Sequence, residues 1–376
     1  MQLEIEEFTS DVENPAYLSE QLITYLGNKR SLIGSIEKVV QKVSKNLGKE
    51  RLSTCDVFSG SGVVSRMLKK YSYEIHANDF ESYAALVSRA YLTNKFEIDF
   101  TALSTSIEKI NKIVSDGKGP AGFIRKLYSP VDDTNIKSGE RVFYTNENAR
   151  RIDAYAQLIR EEPEEMQDLL MAPLLSAASM HANTGGVFKG FYKNSETGIG
   201  QFGGSGVDAL SRIMSPIELK LPVLSKFESK VKVTQTDAAF LFNQMKPIDL
   251  AYLDPPYNQH PYGSNYFMLN LIVNYREPLS ISEVSGIPDD WQRSAYNKRN
   301  EAFDSLEALV SNLPSRYILL SFSDDGFLNP RDLQSLFKKL GKTEVFDIEY
   351  NTYRAARNLA GRAKKITEHL FLVERY

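Results

Sequence analysis

In the segment SLIGSIEKVVQKV (31–43), Leu32, Ile33, Ile36, Val39, Val40 and Val43 recur every three or four residues, the spacing of one helix face. The period then changes. LSTCDVF (52–58) and YEIHAND (73–79) read as short strands, and each is followed by a helical pattern, GVVSRMLKKY (62–71) and ESYAALVSRAYL (81–92). Strands alternating with helices predict a parallel sheet. The rhythm resumes with KVKVTQTDA (230–238), PIDLAYLD (247–254) and SRYILLSFS (315–323). It closes with EVFDIEYNTY (344–353) and ITEHLFLVERY (366–376), which suit an antiparallel pair at the sheet edge. Between these halves lie two predicted helices, NENARRIDAYAQLIREE (146–162) and EEMQDLLMAPLLSAASMHA (164–182), then a loop rich in glycine, aromatic and basic residues. The pattern therefore predicts an α/β domain in two parts, 1–99 and 226–376, interrupted by a mostly helical inserted domain at 100–225.

Composition narrows the class. A chain of 376 residues, 42% hydrophobic and 25% charged, can build two cores, which excludes disorder as the main state. Its apolar runs fall short of the roughly 18 residues that span a bilayer, and its first residues are acidic, so a cytoplasmic protein with no membrane partner is expected. Cys55 is the single cysteine, and the four histidines have no cysteine partners at zinc spacing, so no disulfide and no metal are expected. A net charge of −3 argues against coating a polyanion over the whole surface. Local patches remain: YRAARNLAGRAKK (353–365) carries Arg354, Arg357 and Arg362 without an acid, and WQRSAYNKRN (291–300) carries Arg293, Lys298 and Arg299. Either run also reads as a solvated face.

Candidate chemistry sits where predicted strands end, the ligand-binding edge of an open parallel sheet. In DVFSGSGVV, Gly60 and Gly62 let backbone amides approach a ligand without interference from Cβ atoms. The third glycine of a dinucleotide fingerprint is replaced by Ser65. Asp79 follows Gly60 by nineteen residues, the spacing of an acid that binds ribose hydroxyls; its alternative role is a helix N-cap. Later, AYLDPPYNQHPYGSNYF (251–267) ends a strand in Asp254, Pro255, Pro256 and Tyr257. Methyl transfer to an exocyclic amine has a use for these residues. The adenine amine is a poor nucleophile because its lone pair is delocalised into the ring. If the Asp254 carboxylate and the Pro255 carbonyl each accept one amine hydrogen, the nitrogen moves toward tetrahedral geometry. Pro256 holds the residue before it extended, and Tyr257 can stack on a base extruded from the duplex.

The motifs TYLGNK, DVFSGSG, AND, QTDA and DPPY, in that order, resemble the alpha class of DNA adenine methyltransferases. This Dam-type family includes modification enzymes of restriction systems, and the run DPPYNQHPYGSNYFMLN looks especially like those members. The resemblance implies a Rossmann-like S-adenosylmethionine-dependent methyltransferase sheet with an inserted, mostly helical target-recognition domain. It implies that Tyr25 and Lys29 line the S-adenosylmethionine site, with Lys29 near the methionine carboxylate. Phe58 and Gly60 fall in the cofactor loop, Asp79 at the ribose, Asp237 near the cofactor adenine, and Asp254 between cofactor and target. TDAAF also reads as a helix cap at Asp237. In HANTGGVFKGFYKNSETGIGQFGG (181–204), Asn183, Gly186 and Phe188 match a family segment that leads into a DNA-contacting hairpin. There Lys189 and Lys193 would hold phosphates, and Phe191 or Tyr192 would fill the gap left by an extruded base. Where Dam itself has an arginine–asparagine pair, this chain has His181, Ala182 and Asn183, so the recognition sequence does not carry over.

The expected function is therefore a site-specific adenine-N6 methyltransferase acting on double-stranded DNA, a monomer, with room for a genetic partnership with a restriction endonuclease. An RNA adenine methyltransferase would share the catalytic argument. Cytosine-amine methylation is chemically parallel, but relatives of that kind more often carry serine in place of Asp254. An NAD-dependent dehydrogenase could use Gly60, Gly62 and Asp79, yet would leave DPPY without a purpose. A non-enzymatic DNA-binding module would tolerate Asp254→Ala.

Overall fold

The computed structural model describes residues 13–204, 208–324, 326–351 and 365–376. Seven strands form one sheet: β1 (Leu52–Asp56), β2 (Ser72–Asp79), β3 (Lys230–Gln235), β4 (Ile248–Leu253), β5 (Ser315–Ser323), β6 (Gly341–Asn351) and β7 (Lys365–Arg375), in the order β3-β2-β1-β4-β5-β7-β6. The first five are parallel, and β7 pairs antiparallel with both β5 and β6. The expected parallel sheet with an antiparallel edge is thus present. The strand order reverses beside β1, so the loops after β1 and β4 open toward the same edge.

Side chains alternate across the sheet, as the two-residue repeat of a strand requires. Leu250, Tyr252, Tyr317 and Leu319 join one apolar layer, with the helices Ile33–Leu47 and Val63–Tyr71 above them. Ala251, Leu253, Ile318 and Leu320 face the opposite layer, which is covered by Ala302–Asn312 and Pro330–Leu340. The helix Ile33–Leu47 buries Ile36, Val39, Val40 and Val43, as its spacing predicts, and stops at Gly48, whose φ of 62° is left-handed.

Residues 100–225 are mainly helical, with Phe100–Ser115, Asn146–Ile159 and Glu164–Met180 as the long elements. The first was not anticipated, although Asp99 caps it through the Ala102 amide at 2.9 Å and Leu103, Ile107, Ile110 and Val114 form its buried stripe. These helices share one apolar cluster with Tyr83, Leu86, Val87 and Ala90 of the helix Ser82–Leu92 and with Phe267–Ile272. The cluster links the 100–225 segment to both parts of the sheet domain.

The glycine-rich loop is anchored by Asn183, which is fully buried. Its amide donates to Val142 O and Gln201 O, each at 2.8 Å, and its Oδ1 accepts from the Gly203 amide at 2.9 Å. Asn183→Ala would leave these three backbone groups unpaired. We expect a loss of roughly 2–3 kcal/mol, read from the urea unfolding midpoint; an unchanged midpoint would show that the loop is held by other contacts.

Candidate active site

A cleft of about 840 Å³, partly open to solvent, lies at the carboxyl ends of β1, β2 and β4. Tyr25, Lys29, Phe58, Gly60, Asp79, Asp237, Asp254 and Pro256 all line it, so eight of the residues singled out from sequence converge on one place. Among the described residues, five acidic side chains, Asp56, Asp79, Glu81, Asp237 and Asp254, line it with one cation, Lys29, and burial keeps Glu81 and part of Asp56 protonated near neutrality. Such a field favours a positively charged ligand.

The glycine loop is tied to the end of β2 by Asp79. One carboxylate oxygen accepts the Gly60 amide at 2.7 Å and the other accepts the Glu81 amide at 2.9 Å. A carboxylate has about four acceptor sites, so Asp79 retains capacity for hydroxyls in the cleft. Gly60 has φ 51°, and a Cβ there would stand 3.0 Å from the Tyr25 hydroxyl. Only glycine suits that turn. Asn78 adds a second tie, since its amide donates to Val57 O and Thr236 O at 3.1 Å each. Asp237 therefore sits beside the glycine loop, where it lines the cleft and also caps a short helix through the Ala239 amide at 3.0 Å.

The aromatic run after DPPY positions the first motif. Tyr25 stacks on Tyr262 and on Tyr266, both at 4.9 Å between ring centroids. The Tyr266 hydroxyl accepts from the Leu26 amide at 2.8 Å, while the Tyr262 hydroxyl donates to Leu26 O at 3.1 Å. Both backbone groups of Leu26 are thereby satisfied by side chains more than 230 residues away.

Lys29 continues from this loop into the floor of the cleft and is 3% exposed. Its Nζ lies 2.9 Å from Asp254 Oδ1, 3.3 Å from Glu368 Oε1 and 3.3 Å from Gly27 O, with the Tyr257 ring centroid 5.3 Å away. The Gly27 contact is a hydrogen bond, and the two carboxylate contacts are close ion pairs. The pairing differs from the expected contact with a cofactor carboxylate: Lys29 is directed at Asp254. Burial pushes the Asp254 carboxyl up to about 6, and the Lys29 charge holds it down against Glu368. It remains largely ionised at neutral pH. Tyr257 packs edge-on against Phe322 at 5.5 Å, and its carbonyl accepts from the Phe327 amide at 2.7 Å. Pro255 is buried beneath it.

Several lining residues went unrecognised. Asp56 begins DVFSGSG; its Oδ2 accepts from Ser65 at 2.6 Å while its buried Oδ1 has no partner, and burial pushes its pKa up to about 7. Glu81 accepts from the Asn270 amide at 2.6 Å, and burial pushes it up to about 8. Gln292, Ser294, Tyr296 and Asn297 form a wall from the WQRSAYNKRN run, with Tyr296 edge-on to Phe58 at 5.1 Å and Asn297 donating to Asn258 O at 2.8 Å. No motif spacing pointed to them. Glu368 could have been noticed as an acid inside the apolar strand ITEHLFLV.

The proposed nucleic-acid contacts fall elsewhere. Phe188 is buried against Phe143 and Phe267, and its amide donates to Asn265 O at 2.7 Å, so Asn183 and Phe188 face inward. Lys189 and Lys193 are exposed on the same loop, and Lys193 lies 5.2 Å from the centre of the Phe191 ring. Arg354, Arg357 and Arg362 lie outside the described residues. Among the described residues no helix is long and apolar enough to cross a membrane, and no cluster of His, Cys, Asp and Glu could hold a metal ion.

A sequence model of the D12 class N6 adenine-specific DNA methyltransferase family matches residues 25–283. The chain is similar to the type II methyltransferase M.NlaIII of Neisseria lactamica, 26% identical over 362 residues that cover 94% of this chain and 99% of that protein. It is 27% identical to M.CviAII of Paramecium bursaria Chlorella virus 1 over 361 residues, 93% of this chain and 98% of the relative. It is 24% identical to M.FokI of Planomicrobium okeanokoites over 362 residues, 93% of this chain and 52% of that longer protein.

Asp56 and Glu81, the most strongly raised of the cleft acids, carry a pH signature. Because the folded state holds protons on Asp56 and Glu81 that the unfolded state releases near pH 4, stability falls as pH rises from there through about 8. Glu81→Gln should shrink the drop in urea midpoint between pH 5 and pH 8. A drop as large as in the unaltered protein would mean that Glu81 ionises freely.

Proposed function

The chain belongs to the D12 class of N6 adenine-specific DNA methyltransferases, and from that premise we propose how its cleft carries out the transfer. S-adenosylmethionine, the donor this family implies, supplies an electrophilic methyl group on a positively charged sulfur. The residues present suit it. Asp79 retains acceptor sites for the ribose hydroxyls, and the unpartnered Asp56 Oδ1 is placed to accept from an ammonium. Phe58 and Tyr296 offer ring surfaces to a purine, with Asp237 and Ala238 at its edge. The surplus of carboxylates favours the cationic donor over its neutral product.

Asp254 carries the reading. With Oδ1 beside Lys29, Asp254 lines the cleft and can accept one hydrogen of the adenine amine, while the carbonyl of the buried Pro255, which follows it, would accept the other. Tyr257 stacks on the extruded base. The nitrogen lone pair forms the new N–C bond as the C–S bond breaks and its electrons remain on sulfur. The methylated amine then sheds one proton to solvent, so no general base is needed.

Residues 100–225 serve as the target-recognition region in this proposal. Asn183 and Phe188 shape the glycine-rich loop, and Lys189 and Lys193 meet phosphates on its exposed side. Arg354, Arg357 and Arg362 add phosphate contacts. The relatives named above are type II methyltransferases, which supports a role for this chain as the modification enzyme of a restriction system.

Asp254→Ala should lower transfer by about 10³-fold or more while weakening S-adenosylmethionine binding only moderately, as measured by labelled-methyl transfer and calorimetry. Retained turnover would remove Asp254 from the chemistry. Expressed in a host without adenine methylation, the chain should leave N6-methyladenine at one short sequence across the genome; a mark on cytosine would refute the proposal. Arg357→Ala should weaken DNA binding equally across sequences and lower the salt slope by about one.

A further inference from the structure

The buried partner of Lys29 on the far side from Asp254 is Glu368, a fully buried carboxylate on β7. The Ser321 hydroxyl, on neighbouring β5 and itself buried, donates to the same Oε1 that faces Lys29. Ser321 and Leu370 are register partners across the β5–β7 pair, so the sheet itself sets where this carboxylate stands. One ammonium is thus shared between two acids, the partly exposed Asp254 and the fully buried Glu368.

A single lysine bound wholly to Asp254 would orient that carboxylate but would also neutralise it as a hydrogen-bond acceptor. A shared lysine orients it at a smaller cost in acceptor strength. During transfer, positive charge moves from the donor sulfur onto the attacking nitrogen, and carboxylate charge near that nitrogen favours the shift. We propose that Glu368, steadied by Ser321, is a positioning residue for methyl transfer, dividing the Lys29 charge so that Asp254 is held in place yet keeps its strength toward the substrate amine. This rests on the role of Asp254 given above.

The groups facing Asp254 are Lys29 from the first loop, Tyr252 on β4, Tyr257 and Tyr262 from the segment after β4, Asp56 at the end of β1, and Glu368 on β7. Burial holds Tyr252 and Tyr262 far above neutrality, so both stay neutral. Asp56 titrates near 7, so the displacement of a pH profile is informative and its absolute position is not. Glu368 raises and Lys29 lowers the Asp254 pKa, so the two partners have opposite signs.

Glu368→Gln, nearly isosteric, should lower kcat by about 10- to 100-fold, the usual loss when a partner that orients a functional group is removed. KM for S-adenosylmethionine and for DNA should change less than about threefold, and the acid limb of kcat should move to lower pH. Lys29→Met should move that limb to higher pH. An unchanged kcat in Glu368→Gln, or a lowered kcat with an unmoved acid limb and a depressed Tm, would overturn the proposal. Should Glu368→Gln fail to fold, Ser321→Ala takes its place, with a smaller loss of kcat at unchanged KM expected and an unaltered kcat counting against the idea. Asp254→Ala, which removes the acceptor, assayed in the same series separates the two readings. If it stays active, the role of Asp254 itself fails. If it is inactive while Glu368→Gln behaves as the unaltered enzyme, only the Glu368 assignment fails.

Discussion

The cleft depends on burying an ammonium between two carboxylates drawn from three remote parts of the chain. Residues 29, 254 and 368 meet at separations of 2.9 and 3.3 Å, all with little or no exposure on Lys29 and Glu368. Taking these charges out of water is costly unless every donor and acceptor finds a partner. The Gly27 carbonyl accepts from Lys29 and the Ser321 hydroxyl donates to Glu368, while Asp254 meets Lys29 as a close ion pair. The first loop, the end of β4 and the antiparallel strand β7 must all be in place before the cluster assembles, so the floor of the cleft and the sheet edge form together.

The tyrosine stack has the same logic with apolar surface in place of charge. Tyr25 is laid against Tyr262 and Tyr266, and their hydroxyls satisfy both polar groups of Leu26. The segment after DPPY thereby fastens the loop that carries Lys29 to the rest of the cleft. That attachment explains the density of aromatic side chains so close behind the diproline.

Much of this was legible in the chain. β5 spans the same residues, 315–323, as its sequence pattern indicated, because the apolar stretch Tyr317–Leu320 with Phe322, between Pro314 and the acidic Asp324, has few alternatives. The ligand edge was readable because the motifs carrying Gly60, Asp79 and Asp254 follow or end strands of the sheet, whereas Tyr25 and Lys29 come from a loop before the first strand and were reached only through the family resemblance. The wall from Gln292 to Asn297 was not readable. Its residues reach the cleft by tertiary packing of an irregular segment, with Tyr296 buried at 4% exposure, and such packing leaves no periodic trace. Asn183 and Phe188 both turn inward from the glycine-rich loop, which motif matching could not tell, because it carries no information on the direction a side chain faces. Glu368 was hidden for another reason, since one acid in an apolar strand acquires meaning only once its neighbour on the adjacent strand is known.

The 100–225 helices share their apolar interior with the helices Ser82–Leu92 and Phe267–Asn274. That common interior limits modular exchange. Transplanting this region from a relative would bring foreign side chains against Tyr83 and Phe267, beside the Glu81–Asn270 contact at the cleft wall. A grafted chimera would have to recut both surfaces together, whereas the exposed loop around Lys189 and Lys193 can change in sequence without disturbing the interior.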